Sequence, residues 1–153
     1  APAEIALSLA ETKAKVVSER HPGTLVVGAD QVLVLEQAIF DKPVDRAGAT
    51  ATLKRLRGRR HDLVSAVAVV LDGTSIWHWA DQAHLTMRRF SDAFLDAYLD
   101  AVGEQAYASV GAYCLEGLGA QLFAKVEGDY FTILGLPLLP LLEFLRRQGA
   151  VRR

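Results

Sequence analysis

The chain has 153 residues, with 17 Lys and Arg against 18 Asp and Glu and a formal net charge of −1. Apolar residues make up 51% and charged residues 23%, which builds a core and excludes a disordered chain. The charge balance argues against a dedicated nucleic-acid binder, which carries a basic surplus. A single cysteine, Cys114, excludes a disulfide within the chain and a cysteine-rich zinc site. It fits a reducing, cytoplasmic location. The longest apolar stretch, 133–145, is interrupted by Gly135, Pro137 and Pro140 and is too short to span a bilayer, so no membrane partner is expected.

The first predicted element is a helix over 3–20, with Pro2 in its first turn and His21-Pro22-Gly23 at its end. Ile5, Leu9, Lys13 and Val17 are spaced four apart and share one face. Lys13 therefore stands in an otherwise apolar row, its stem lying along the edge of the face expected to be buried. The chain begins at Ala1, inside this helix, so a preceding segment is expected.

A strand follows over 25–35 (LVVGADQVLVL), with an interruption expected at Gly28-Ala29-Asp30. Its continuous apolar run suits a strand covered on both faces. Asp30 is then a carboxylate in a buried strand, where it needs cations or donors around it. Glu36-Gln37 is a turn into 38–40, and Pro43 holds Lys42 in extended backbone. Asp45 caps a helix over 46–56, which Gly58 ends. A β-branched strand over 61–71 turns through Asp72-Gly73 into a strand over 74–87, on which Trp77 and Trp79 share a face. Two tryptophans on one face point to core packing. Ser91 caps a helix over 92–101. Glycine-bearing loops at 109–111 and 117–119 surround Tyr113 and Glu116. A short strand over 121–126, a turn at Gly128-Asp129 and a helix over 138–147 complete the chain. The order α, β, α, β-hairpin, α, β, α predicts an α/β domain, a mixed twisted sheet flanked by helices.

The four histidines show no HxH or HExxH spacing, and GxSxG, Walker A and GxGxxG motifs are absent. What remains is a set of polar residues placed in apolar elements: Lys13, Asp30, Lys42 and Glu116. Two lysines beside one carboxylate suit phosphate chemistry. Ammonium groups neutralise phosphate oxygens, while a carboxylate binds Mg²⁺ or orients an attacking water.

The segments GADQVL (28–33), DKP (41–43), ETKA (11–14), YCLEGLG (113–119) and GDYFTILGLPL (128–138) together resemble the Maf family of nucleoside triphosphate pyrophosphatases. The resemblance covers essentially the whole chain. It implies two lobes with a cleft between them, and cleavage between the α and β phosphates with a divalent cation, Mg²⁺ or Mn²⁺. By motif, Asp30 matches the catalytic and cation-binding carboxylate, and Lys13 and Lys42 match phosphate-binding lysines. Asp41 stands where the family usually has glycine. The family opens with a strand and a Ser-x-x-Arg-Arg helix start that this sequence does not contain. The expectation is thus a single domain over 1–153 lacking its N-terminal strand and helix. One branch of the family pairs Gln after the aspartate with Glu before the later glycine and acts on 7-methyl-GTP; Gln31 and Glu116 resemble that branch and imply base recognition. The alternatives are a dTTP/UTP or broad-range pyrophosphatase, or a non-catalytic nucleotide-binding regulator of septum formation. A homodimer is among the assemblies that the resemblance implies.

Overall fold

The computed structural model describes residues Ala1–Arg153. Five strands, β1 (Leu25–Leu35), β2 (Ala38–Phe40), β3 (Arg60–Leu71), β4 (Thr74–Met87) and β5 (Phe123–Glu127), form one sheet in the order β2-β1-β3-β4-β5. Five helices accompany them: α1 (Pro2–Ser18), α2 (Arg46–Leu56), α3 (Asp92–Val102), α4 (Tyr130–Leu134) and α5 (Leu138–Arg147). This is the α/β class expected. Both hairpins follow from turn chemistry. Leu35 pairs with Ala38 across Glu36-Gln37, whose φ angles of 48° and 73° make the left-handed two-residue turn that matches strand twist. Asp72-Gly73 adopts the same hand, at 48° and 78°, between β3 and β4. No helix is long and apolar enough to cross a membrane.

The chain divides into two compact units, one made of Ala1–Val32, Leu63–Ala83 and Gly128–Arg153, the other of Leu33–Asp62 and His84–Glu127. In the first, helices cover both faces of the strands. Ala14 of α1 packs with Val26 and Val70, while Leu141 and Phe144 of α5 pack with Val67, Val69, Leu25 and Trp77. Side chains alternate along a strand, so even positions of β1 and β3 face α1 and odd positions face α5. Trp77 stacks on Phe144 with ring centroids 4.9 Å apart, as core packing predicts, whereas Trp79 is 46% exposed.

Two expectations are corrected here. Strand β1 runs unbroken through Gly28-Ala29-Asp30. Gly28 is required by a neighbour, since a Cβ there would overlap the Ala10 carbonyl oxygen and lie 2.8 Å from Ala14 Cβ. The buried row of α1 is Ala6, Ala10, Ala14 and Ser18, not the row that contains Lys13. Ile5, Leu9 and Val17 are 41%, 43% and 44% exposed. Small side chains let the helix backbone approach the strand at Gly28, and that closeness selects the alanine face.

In the second unit α2 packs against α3, with Leu53, Leu56, Leu95 and Leu99 buried. Asp45 Oδ1 accepts from Gly48 N at 2.7 Å, and Ser91 Oγ accepts from Phe94 N at 3.1 Å, as the capping pattern predicts. Two 3₁₀ turns follow: Gly103–Ala108, in a stretch the sequence left unassigned, and Leu118–Leu122, across stretches read as loop and strand.

Candidate functional site

The first unit brings two of the sequence-derived site residues together. Lys13 Nζ donates to Asp30 Oδ1 at 2.5 Å. The alanine stripe of α1 and the bare Cα of Gly28 bring helix and strand close. Lys13 precedes Ala14, and Asp30 follows Gly28 by one strand repeat on the same face. The side chain of Asp30 is only 17% exposed, while that of Lys13 is 60% exposed. The result is a recessed carboxylate with a solvated cation at its mouth. Such a pair can offer negative charge to a cation or water and positive charge to a phosphate.

Gln31, next in β1, faces the other way. Its amide nitrogen lies 3.0 Å from Ser65 Oγ, 3.2 Å from the Thr132 carbonyl and 3.0 Å from the Ile133 carbonyl, and shares its two N–H donors among the three. Ser65 Oγ in turn donates to the Thr132 carbonyl at 2.7 Å. Two carbonyl oxygens accept only, so they fix which end of the amide faces them. The amide nitrogen of Gln31 is thus engaged with the fold.

The second unit carries Lys42 and Glu116. Lys42 is exposed, on the link between β2 and the cap of α2, and the buried ring of Pro43 anchors its backbone. Glu116 lies at a tight turn in which Gly117 N donates to the Cys114 carbonyl at 3.2 Å. Gly119 closes the same turn, because a Cβ there would overlap that carbonyl oxygen.

The base of this loop is anchored by Tyr113. Its hydroxyl shares a 2.8 Å hydrogen bond with His61 Nε2, and its ring meets Phe123 edge-on at 4.8 Å. Tyr98 donates to the Ala112 carbonyl at 2.8 Å. Burial pushes His61 down to about 4, against the opposing pull of Asp62. Burial also raises the Tyr113 hydroxyl, with Tyr98 adding to it, and lifts Tyr98 to about 12. All three groups are therefore neutral anchors at pH 7.

A family model described as "Maf-like protein" matches residues 1–148. The chain belongs to the Maf-like family. Among its relatives, a "Nucleoside triphosphate pyrophosphatase" of Paramagnetospirillum magneticum is 60% identical over 148 residues, covering 97% of this chain and 76% of that protein. A protein of the same name in Rhodopseudomonas palustris is 54% identical, covering 96% of this chain and 73% of the relative. A "7-methyl-GTP pyrophosphatase" of Mesorhizobium japonicum is 53% identical over 150 residues, covering 98% of this chain and 75% of the relative.

Three polar residues of this Maf-like chain escaped the sequence reading. Ser65 and His61 sit in a strand read as apolar, and Thr132 in a helix too short to show periodicity. All three are buried, with 0%, 1% and 0% exposure. The available signal was polarity inside β-branched or aromatic runs, the same signal that singled out Asp30.

Proposed function

We propose that this Maf-like chain hydrolyses nucleoside triphosphates between the α and β phosphates, releasing a nucleoside monophosphate and pyrophosphate. The observation that carries this reading is the Lys13–Asp30 pair, a recessed carboxylate and an exposed ammonium 2.5 Å apart. Asp30 orients and deprotonates the water that attacks the α-phosphorus. Lys13 and Lys42 offset the charge on phosphate oxygens, each stabilising the transition state by several kcal/mol when preorganised. The P. magneticum and R. palustris relatives carry the corresponding name.

No group of three or more His, Cys, Asp or Glu side chains is placed to hold a metal by itself. The single recessed carboxylate of Asp30 beside Lys13 suits Mg²⁺ in its usual nucleotide role, in which one or two carboxylates hold the ion and water and phosphate oxygens complete the shell. Asp30 is the residue that would hold it. A bound divalent cation supplies Lewis acidity toward the phosphate oxygens.

For the base we propose 7-methyl-GTP. Guanine offers adjacent N1–H and N2–H₂ donors that the Glu116 carboxylate accepts in parallel, whereas a pyrimidine O4 would meet it lone pair to lone pair. The M. japonicum relative at 53% identity bears the matching name. The test is pyrophosphate release with Mg²⁺ from 7-methyl-GTP, GTP, dTTP and UTP, with Asp30→Asn as control. Release that depends on Asp30 and is fastest with 7-methyl-GTP is the expected result. Equal rates on all four would leave the pyrophosphatase reading standing and remove the base assignment. Release that Asp30→Asn leaves intact would remove Asp30 from the mechanism.

A further inference from the structure

Both tryptophans of the chain lie in one cleft between β4 and α5. It belongs to the α5 face of the sheet, whereas Asp30 meets Lys13 on the α1 face. The cleft has a volume of about 330 Å³, enough for a nucleotide, with Leu139 and Pro140 as its apolar wall and Glu143 and Arg147 at its rim. The rings of Trp77 and Trp79 lie within 16° of parallel, with centroids 6.5 Å apart. Phe144 covers Trp77 from within, but Trp79 and Leu139 are exposed.

Two features of this cleft are not used by the fold. Strand β5 pairs with β4 only from His84 to Met87, so 74–83 is an open edge. Residues 74–80 include no Asp, Glu, Lys or Arg of the kind that commonly guards such an edge. At the rim, Glu143 and Arg147 stand one helical turn apart, both exposed, and neither forms an ion pair. An indole face attracts a flat ring, and attracts it more strongly when that ring is positively charged. A free carboxylate accepts from adjacent N–H donors, and a free guanidinium binds phosphate. Together they match a ligand with a flat cationic ring at one end and an anion at the other. A 7-methylguanosine nucleotide is such a zwitterion. Unmethylated guanine lacks the ring charge, and thymine lacks both the charge and the adjacent donors.

From this we infer that the Trp77–Trp79 cleft is a second nucleotide site, which takes a 7-methylated purine nucleoside monophosphate. The base lies against the exposed indole of Trp79 with its N1–H and N2–H₂ edge toward Glu143, and the phosphate meets Arg147. The choice of this monophosphate, the product of the reaction proposed above, rests on that reading; the cleft and its charges do not.

Because the chain has no other tryptophan, its indole emission reports on this cleft. The experiment titrates the chain with 7-methyl-GMP, GMP and dTMP and compares Trp79→Ala, Arg147→Ala, Asp30→Asn and Glu116→Gln. Saturable quenching by 7-methyl-GMP is expected, with GMP about fivefold weaker for want of the ring charge and dTMP weaker still. Arg147→Ala is expected to weaken 7-methyl-GMP about tenfold, the worth of a charge-assisted hydrogen bond, and Trp79→Ala to abolish the quenching of the remaining Trp77. Asp30→Asn and Glu116→Gln leave the titration unchanged. Absence of quenching, or quenching that Arg147→Ala and Trp79→Ala do not weaken, overturns the inference. Equal affinity for GMP and 7-methyl-GMP overturns it as well. So does loss of quenching in Asp30→Asn or Glu116→Gln, which would make the signal an echo of the other site. Emission that changes with protein concentration in the absence of nucleotide would assign the cleft to a second copy of the chain and also overturn it. The titration needs no turnover, so a chain that releases no pyrophosphate, or prefers another base, defeats the functional reading separately and leaves this result to stand or fall alone.

Discussion

Lys13 Nζ and Asp30 Oδ1 lie 2.5 Å apart although 17 residues separate them in the chain. Most of the pair is solvated on the lysine side, so its own contribution to stability is small. Its value is geometric: it sets a cation beside a recessed carboxylate. Replacing Asp30 by Asn removes the proton acceptor of the proposed mechanism and keeps the shape. Turnover is expected to fall by about 10²–10⁴, the usual worth of a general base, with binding of the nucleotide in the absence of Mg²⁺ nearly unchanged by calorimetry. Lys13→Met should cost on the order of 10² in kcat, since charge on the phosphate oxygens grows toward the transition state.

Gly28→Ala tests how that pair is built. The new methyl would overlap the Ala10 carbonyl oxygen, a backbone atom with no freedom to swing aside. The helix must back away from β1, carrying Lys13 with it. Overpacking of this kind costs about 1–3 kcal/mol, and the urea midpoint should fall accordingly. Activity should fall further than the folded fraction predicts, because the surviving folded molecules hold Lys13 farther from Asp30. A variant that is less stable but fully active per folded molecule would show that the helix–strand distance does not matter to the site.

The elements of this fold were largely legible in the sequence because their signals are local. Asp45 and Ser91 announce α2 and α3, Asp72-Gly73 announces its hairpin, and β-branched runs announce the strands. The buried face of α1 was not legible. Ile5, Leu9 and Val17 outrank Ala6, Ala10 and Ala14 on any hydrophobic scale, yet the alanines are buried. The deciding fact is the closeness of β1 at Gly28, which belongs to another segment. The candidate site shows the same division. Asp30 and Lys13 stood out as polar residues in apolar elements, whereas the engagement of Gln31 with Ser65 and with the Thr132 and Ile133 carbonyls far downstream is a tertiary fact.

His61 makes the stability of this protein pH-dependent in a definite direction. Burial lowers it from 6.5 to about 4, so the unfolded chain binds a proton that the folded chain refuses. Its contribution is fully present above pH 6.5 and is lost as pH falls from 6.5 toward 4. The total is about 3 kcal/mol, of which about 2 kcal/mol is lost between about pH 7 and about pH 5. His61→Gln keeps a hydrogen-bonding partner for Tyr113 and removes the titration. Urea unfolding at those two pH values should therefore show the variant losing about 2 kcal/mol less than the unaltered chain over that interval. Equal losses in both would assign the acid sensitivity to other groups.

Glu116 carries the base preference in the proposed function, and the backbone of its loop is anchored. Tyr113 is pinned to His61 at 2.8 Å below the turn, and Gly119 lets the backbone close against Cys114. A carboxylate held there accepts two guanine donors, whereas a carboxamide in its place would present one acceptor and one donor. Glu116→Gln is therefore expected to lose one charge-assisted bond to 7-methyl-GTP, on the order of tenfold or more in kcat/KM. The same change gives a pyrimidine O4 a donor to meet, so dTTP turnover should hold or rise. The readout is the ratio of the two kcat/KM values, which cancels any loss of folded protein. A ratio unmoved by the substitution would place base recognition elsewhere in the chain, and Glu116 would then serve only the geometry of its turn.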